Sequence, residues 1–202
     1  MAVITFDDAT HTYTLDGNPC PSVTEITRFL HYKAEYADKE SRDRAARKGT
    51  AIHELTALID YGEDVEIPPE LSGYVQAWEN FKRDYRVEIL AIEQMVGGYL
   101  CGGAKRPLCG IMDRRVRIEN REGILDIKTG STVNKIALQA QLNGYDLLCN
   151  ERYVNDFLMG VYLRPDATYT TYCAPLNHEL VIYLYEIHLA EQEAKKRWKT
   201  TV

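Results

Sequence analysis

The stretch from Gly110 to Lys128 constrains this chain most. Ile111 to Ile118 and Ile124 to Lys128 are two β-prone runs around a polar segment containing Gly123, a pattern that predicts a hairpin. Asp113 falls near the start of the first run and Asp126 near the end of the second, so antiparallel pairing brings them opposite each other, within reach of one cation. Alternation along the second run places Asp126 and Lys128 on one face. Two carboxylates and an amine at one end of a hairpin suit Mg²⁺-dependent attack of water on a phosphodiester. The same residues also describe an ordinary hairpin with a charged, solvated face, so the rest of the chain has to decide.

Upstream, Val3 to Phe6 and Thr12 to Leu15 read as short strands with a turn at Asp16-Gly17. Ser22 and Glu25 are spaced as a capping box, which predicts a helix running to about Tyr32. Lys33 to Lys48 has helical composition with little apolar face. Its Arg42, Arg44, Arg47 and Lys48 read first as a solvated helix surface and second as a phosphate contact. Gly49 to His53 opens a more apolar helix. Pro68-Pro69 marks the start of another, with Tyr74, Ala77, Trp78 and Phe81 at helical spacing. Val87 to Val96 is a strand carrying Glu93, and Gly97-Gly98 is a turn toward the hairpin. Beyond Lys128, Val133 to Cys149 is a helix that places Gln141 and Tyr145 on one face. Phe157 to Leu163 and Tyr169 to Ala174 are strands, and a helix runs from Asn177 to about Trp198. Helix, three strands, helix, strand implies an α/β fold with a mixed central sheet flanked by helices.

With 202 residues, the chain has room for one domain with a real core: an N-terminal hairpin over 1–20, a motif-bearing core over 21–163 and a C-terminal strand and helix over 164–202. The formal charge of −6 counts against a protein that coats DNA through its field. It counts less against a metal-dependent nuclease, whose acidic site lowers the total. Five scattered cysteines do not form a disulfide framework. Neither a signal peptide nor a membrane-spanning run is evident, and a cytoplasmic location is expected.

Gly49-x-x-x-His53, Glu93, Gly110-x-x-Asp113, Asp126-x-Lys128 and Gln141-x-x-x-Tyr145 follow one another in this order. Each is weak alone. Together they resemble the PD-(D/E)XK nuclease superfamily in its RecB-like branch. They look closest to phage recombination exonucleases, which often carry a Pro-Ser-Val-Thr segment like that at Pro21 to Thr24. The resemblance spans Pro21 to Leu163 and implies a restriction-endonuclease-like core. It implies a metal site of His53, Asp113, Asp126 and the main-chain carbonyl of Ile127, with Lys128 beside the attacked phosphate and Glu93 as a further catalytic carboxylate. Gln141 and Tyr145 would contact the DNA backbone or brace the catalytic strand, and Arg44, Arg47 and Lys48 would contact DNA.

The resemblance also implies Mg²⁺, replaceable by Mn²⁺, as cofactor. Implied partners are DNA, a single-strand-annealing protein and other copies of the chain. Met112 stands where the superfamily's name has proline. Cys20, Cys101, Cys109, Cys149 and Cys173 lack the late cluster that holds an iron–sulfur centre in some relatives, so none is expected. Cys101 and Cys109 flank a loop and could pair or bind zinc, although free buried thiols are the simpler reading. A structure-specific or restriction-like endonuclease and a non-catalytic DNA-binding module of the same fold are the competing readings.

Overall fold

Strand β7 (Phe157–Leu163) is buried on both faces, and the sheet is built outward from it. The computed structural model describes residues 3–7, 9–30, 39–100, 106–149 and 154–200. In chain order the elements are β1 (Ile4–Asp7), β2 (Thr12–Leu15), β3 (Asn18–Cys20), α1 (Val23–Thr27), α2 (Lys39–Asp60), α3 (Ser72–Tyr85) and β4 (Glu88–Tyr99). They continue with β5 (Pro107–Ile118), β6 (Arg121–Lys128), α4 (Lys135–Cys149), β7, β8 (Tyr169–Cys173) and α5 (His178–Thr200).

The main sheet has the order β4-β5-β6-β7-β8. Only β6 and β7 run parallel, and α4 supplies the crossover that a parallel pair requires. Period-2 alternation then feeds two cores. Ile124, Leu158 and Tyr162 face α1, α4 and α5, whereas Leu125, Val161 and Leu163 face α2 and α3. The helical stripe Tyr74, Ala77, Trp78 and Phe81 is buried on the second face, as its spacing predicts. The fold is therefore the mixed, helix-flanked α/β sheet expected from the element order.

Local signals fix several boundaries. Ser22 caps α1, its hydroxyl accepting from the Glu25 amide at 3.0 Å. The N-terminal module is a three-stranded antiparallel sheet, one strand more than its sequence suggests. It joins the main sheet through the Cys109 amide, which donates to the Pro21 carbonyl at 3.1 Å.

Other boundaries differ from expectation. Helix α2 is continuous from Lys39 through Gly49, because its Lys, Glu, Arg and Ala residues are good helix formers even without an apolar stripe. Gly97 and Gly98 lie inside β4, paired with Cys109 and Leu108. The hairpin turns at Glu119-Asn120, whose φ angles of 49° and 65° suit a two-residue turn of primed type.

Gly123 instead sits within β6, where a Cβ would stand 2.4 Å from the Phe157 carbonyl oxygen. It is there for close approach and not for turning. Gly123→Ala should accordingly cost about 1–3 kcal/mol, the usual range for overpacking. An unchanged midpoint in urea unfolding would show that β7 yields freely.

Cys20, Cys109 and Cys149 are buried thiols that are not in disulfides. Cys101 lies outside the described residues, and with it the expected pairing or zinc contact. Among the described residues no helix is long and apolar enough to cross a membrane.

Candidate active site

Strands β5 and β6 pair from Ile118↔Arg121 to Arg114↔Leu125, so the next two positions are Asp113 and Asp126, the opposed carboxylates of the sequence argument. There the ladder ends. The Ile127 amide donates to Asp113 Oδ2 at 2.7 Å in place of a β5 carbonyl. A strand residue presents its N–H and C=O to the same side, so the Ile127 carbonyl also faces this fork.

The side-chain alternation of β5 breaks at the same level. Leu108 and Met112 belong to the core beneath α4, yet Val116 and Ile118, also even-numbered, belong to the core beneath α3. Arg114 likewise reaches Thr56 and Asp60 of α2. On β4, Glu93 lies between the residues paired with Met112 and Arg114 and has a φ of 46°, a left-handed conformation costing about 1–2 kcal/mol. Both strands are thus irregular at the level where Asp113 sits.

Regular alternation persists on β6 and presents Asp126 and Lys128 to α4. Asp126 is 1% exposed, and neither of its oxygens accepts an aligned hydrogen bond. Lys128 Nζ stands 2.5 Å from Asp126 Oδ2. The same ammonium donates to Gln141 Oε1 at 2.9 Å, and Gln141 Nε2 donates to the Tyr145 hydroxyl at 3.4 Å. The Tyr145 ring occupies the space left by Gly110, where a Cβ would lie 2.8 Å from it. Gln141 and the buried Tyr145 are therefore placed to hold Lys128.

Burial raises the Asp126 carboxyl to about 6; Lys128 opposes this shift and Asp113 adds to it. Burial works against the Lys128 charge, but the Asp126 and Asp113 carboxylates outweigh it and raise its pKa above the ordinary lysine value. Burial, then the two carboxylates, likewise raises Tyr145 well above a normal tyrosine, so its hydroxyl stays protonated.

His53 comes from α2, with Nδ1 3.5 Å from Asp113 Oδ2. What aligns α2 with the fork is a buried cluster that the motif reading missed. Arg114 donates through Nε to Asp60 Oδ2 at 2.8 Å, through Nη2 to Thr56 Oγ1 at 3.2 Å and through Nη1 to the Asp113 carbonyl at 2.7 Å. Asp60 also accepts from Trp78 Nε1 at 3.0 Å and Lys82 Nζ at 2.7 Å. The available signal was spacing: Thr56 and Asp60 follow His53 by three and seven residues, on its own side of the helix.

The remaining assigned residues are not gathered in. Glu93 is exposed on β4. At about 100° per residue, Arg44 lies opposite His53 on α2 and Arg47 roughly 120° away. Arg44 pairs with Glu40 at 3.0 Å, and Lys48 donates to the Tyr74 hydroxyl at 3.0 Å.

An imidazole, two carboxylates and a carbonyl lie near the fork, and these are donor types that Mg²⁺ or Mn²⁺ accepts. Asp126 Oδ2 meets the Lys128 ammonium, yet neither oxygen of this buried carboxylate accepts an aligned hydrogen bond, which leaves acceptor positions that a divalent cation would use. Among the described residues no three His, Cys, Asp or Glu side chains are already gathered about one point. Asp113 faces the Ile127 amide, and Asp126 faces Lys128.

No protein-family model matches the sequence, and no curated protein matches it. Solved structures similar to it include that of SSO0001, at 20% identity and a TM-score of 0.45, covering 84% of this chain and 74% of the other. An alkaline exonuclease, LHK-Exo, from Laribacter hongkongensis is similar at 12% identity and a TM-score of 0.45, covering 90% of this chain and 92% of its own. Its complex with dAMP gives 12% identity and a TM-score of 0.44 over the same shares. Likenesses this distant bear on neither activity nor substrate.

Proposed function

We propose that this chain is a metal-dependent deoxyribonuclease that hydrolyses phosphodiester bonds from DNA ends. The observation that carries the reading is Asp126: a buried carboxylate without aligned hydrogen bonds, flanked by Lys128 and opposed to Asp113 across the β5–β6 pair. His53, Asp113, Asp126 and the Ile127 carbonyl would hold a divalent cation. When bound, it supplies Lewis-acid polarisation of the phosphate and a more acidic water.

The side chains do the rest. Lys128, kept charged by its carboxylate neighbours, offsets the negative charge that grows on the phosphate as water adds and the ester oxygen departs. Gln141, anchored on Tyr145, fixes the ammonium so that it need not reorganise during the reaction. The requirement for an end follows from the motif resemblance, and the net charge of −6 disfavours a tight hold on internal duplex.

The test is digestion of end-labelled linear duplex beside a closed circle of the same DNA, with Mg²⁺, with Mn²⁺ and with a chelator. Linear DNA should shorten from its ends only when metal is present, while circles survive. Conversion of the circle to a unique linear product would favour the endonuclease reading. Absence of hydrolysis with both metals would leave a binding module.

A further inference from the structure

The last two turns of α5 combine a basic cluster with an exposed aromatic side chain. Upstream, Val181, Leu184, Tyr185 and His188 bury one side of the helix. From Glu193 to Lys199 every residue is exposed, so the helix runs on past the body that supports it. Residues 178–193 carry glutamates and no lysine or arginine, whereas Lys195, Lys196, Arg197 and Lys199 fall within five residues of one another. Basic residues in a last turn offset the helix dipole, which accounts for some of this charge. It does not account for Trp198, which is 78% exposed among them. Leaving so large an apolar side chain in water forgoes roughly 2–3 kcal/mol of burial.

The location is specific. Glu191 pairs with Arg28 at the end of α1, and the neighbouring Leu30 carbonyl accepts from Asn134 Nδ2 at 2.7 Å. Asn134 in turn caps α4, accepting from the Ala137 amide at 3.1 Å. The segment ending at Asn134 is the one that leaves β6 directly after Lys128. The tip therefore stands at the end of the sheet that presents Asp126 and Lys128, with Trp198 about 10 Å beyond Glu191 along the helix.

We propose that the tip of α5 binds single-stranded DNA, its basic side chains on successive phosphates and Trp198 stacked on a base. The inference rests on the nuclease reading and names the strand form that the site receives. Stacking on an aromatic side chain contributes about 1–3 kcal/mol per base and tolerates any sequence, as an end-processing enzyme requires. The ion pairs Lys195–Glu191 and Arg197–Glu193 lie in solvent, where such pairs are worth at most about 1 kcal/mol, so phosphates can replace them.

The chain has two tryptophans, and Trp78 is fully buried, so a ligand at the tip changes the emission of Trp198 alone. Titrating the full chain with a short oligothymidylate in chelator should quench and shift that emission. Trp198→Phe should remove the response while Trp78 continues to report the fold. Replacing Lys195, Lys196, Arg197 and Lys199 together with alanine should lower the slope of log affinity against log salt by about 2–3, at roughly 0.7 per lost contact.

Binding of a labelled oligonucleotide with Trp198 unaffected would overturn the tip assignment and leave the nuclease reading standing. Absence of both binding and metal-dependent hydrolysis would overturn the two together. A concentration-dependent dimer in sedimentation, lost with Trp198→Phe, would make the tip a self-association surface and remove it as a DNA site.

Discussion

Lys128→Ala should lower the single-turnover rate on end-labelled duplex by about 10²–10³ at saturating Mn²⁺, the typical loss when one preorganised charge donor is removed. The ammonium is 2.5 Å from Asp126 and 2.9 Å from Gln141, so its position is set from two sides before any substrate arrives. Buried Asp126 would lose its paired charge and its carboxyl would shift further up, while circular dichroism should still show the wild-type fold. Gln141→Ala should give a milder loss of about 10–100-fold, the range seen when an orienting partner is removed while the acting group remains. A Lys128→Ala rate within a few-fold of wild type would show that the ammonium only balances Asp126. A Gln141→Ala loss as large as that of Lys128→Ala would show that the amide touches the reacting groups itself.

Asp60→Ala should be the most destabilising single change in the chain. Its carboxylate is fully buried and answers three donors, Arg114, Lys82 and the Trp78 indole. Removing one partner of a buried ion pair typically costs about 3–5 kcal/mol, because the other charge stays buried and uncompensated. For a chain of this size each kcal/mol lowers Tm by about 2–4 °C, so a drop of about 6–20 °C is expected in a thermal melt. Arg114 would keep only its Thr56 contact on α2 while still holding the Asp113 carbonyl, so the helix carrying His53 should loosen. A Tm within about 3 °C of wild type, at most about 1.5 kcal/mol on the same scale, would mean that water or a neighbour takes over the role of Asp60.

These two residues divide what could be read early from what could not. Asp126 and Lys128 announce their shared face through the period of two that every strand imposes, and Asp113 follows from antiparallel register. His53, Gln141 and Tyr145 were legible as spacings within a helix, as were the Ser22 cap and the stripe ending at Phe81. Each of these rests on contacts a few residues apart, or on a periodicity that the backbone itself enforces.

Asp60 carried only a weak spacing signal, because its partners lie 18, 22 and 54 residues away and none belongs to a repeating pattern. The role of Gly123 was misread for the same reason. A glycine before a β-run looks like a turn until β7 is laid 2.4 Å from its missing Cβ. Glu93 had the right residue type in the right order, but on β4 it takes a left-handed backbone conformation and stays exposed. Arg44, Arg47 and Lys48 formed a dense basic run on paper, and helical phase turned them away from His53.

Local pattern, then, determined which residues form the strands and helices and which side chains share a face. Tertiary structure alone decided where β5 breaks its alternation, what buries Asp126, and which partners gather around Asp60. Those outcomes depend on strands and helices distant in sequence meeting in one place, and the chain encodes that meeting only through the complementary shapes and charges they bring to it.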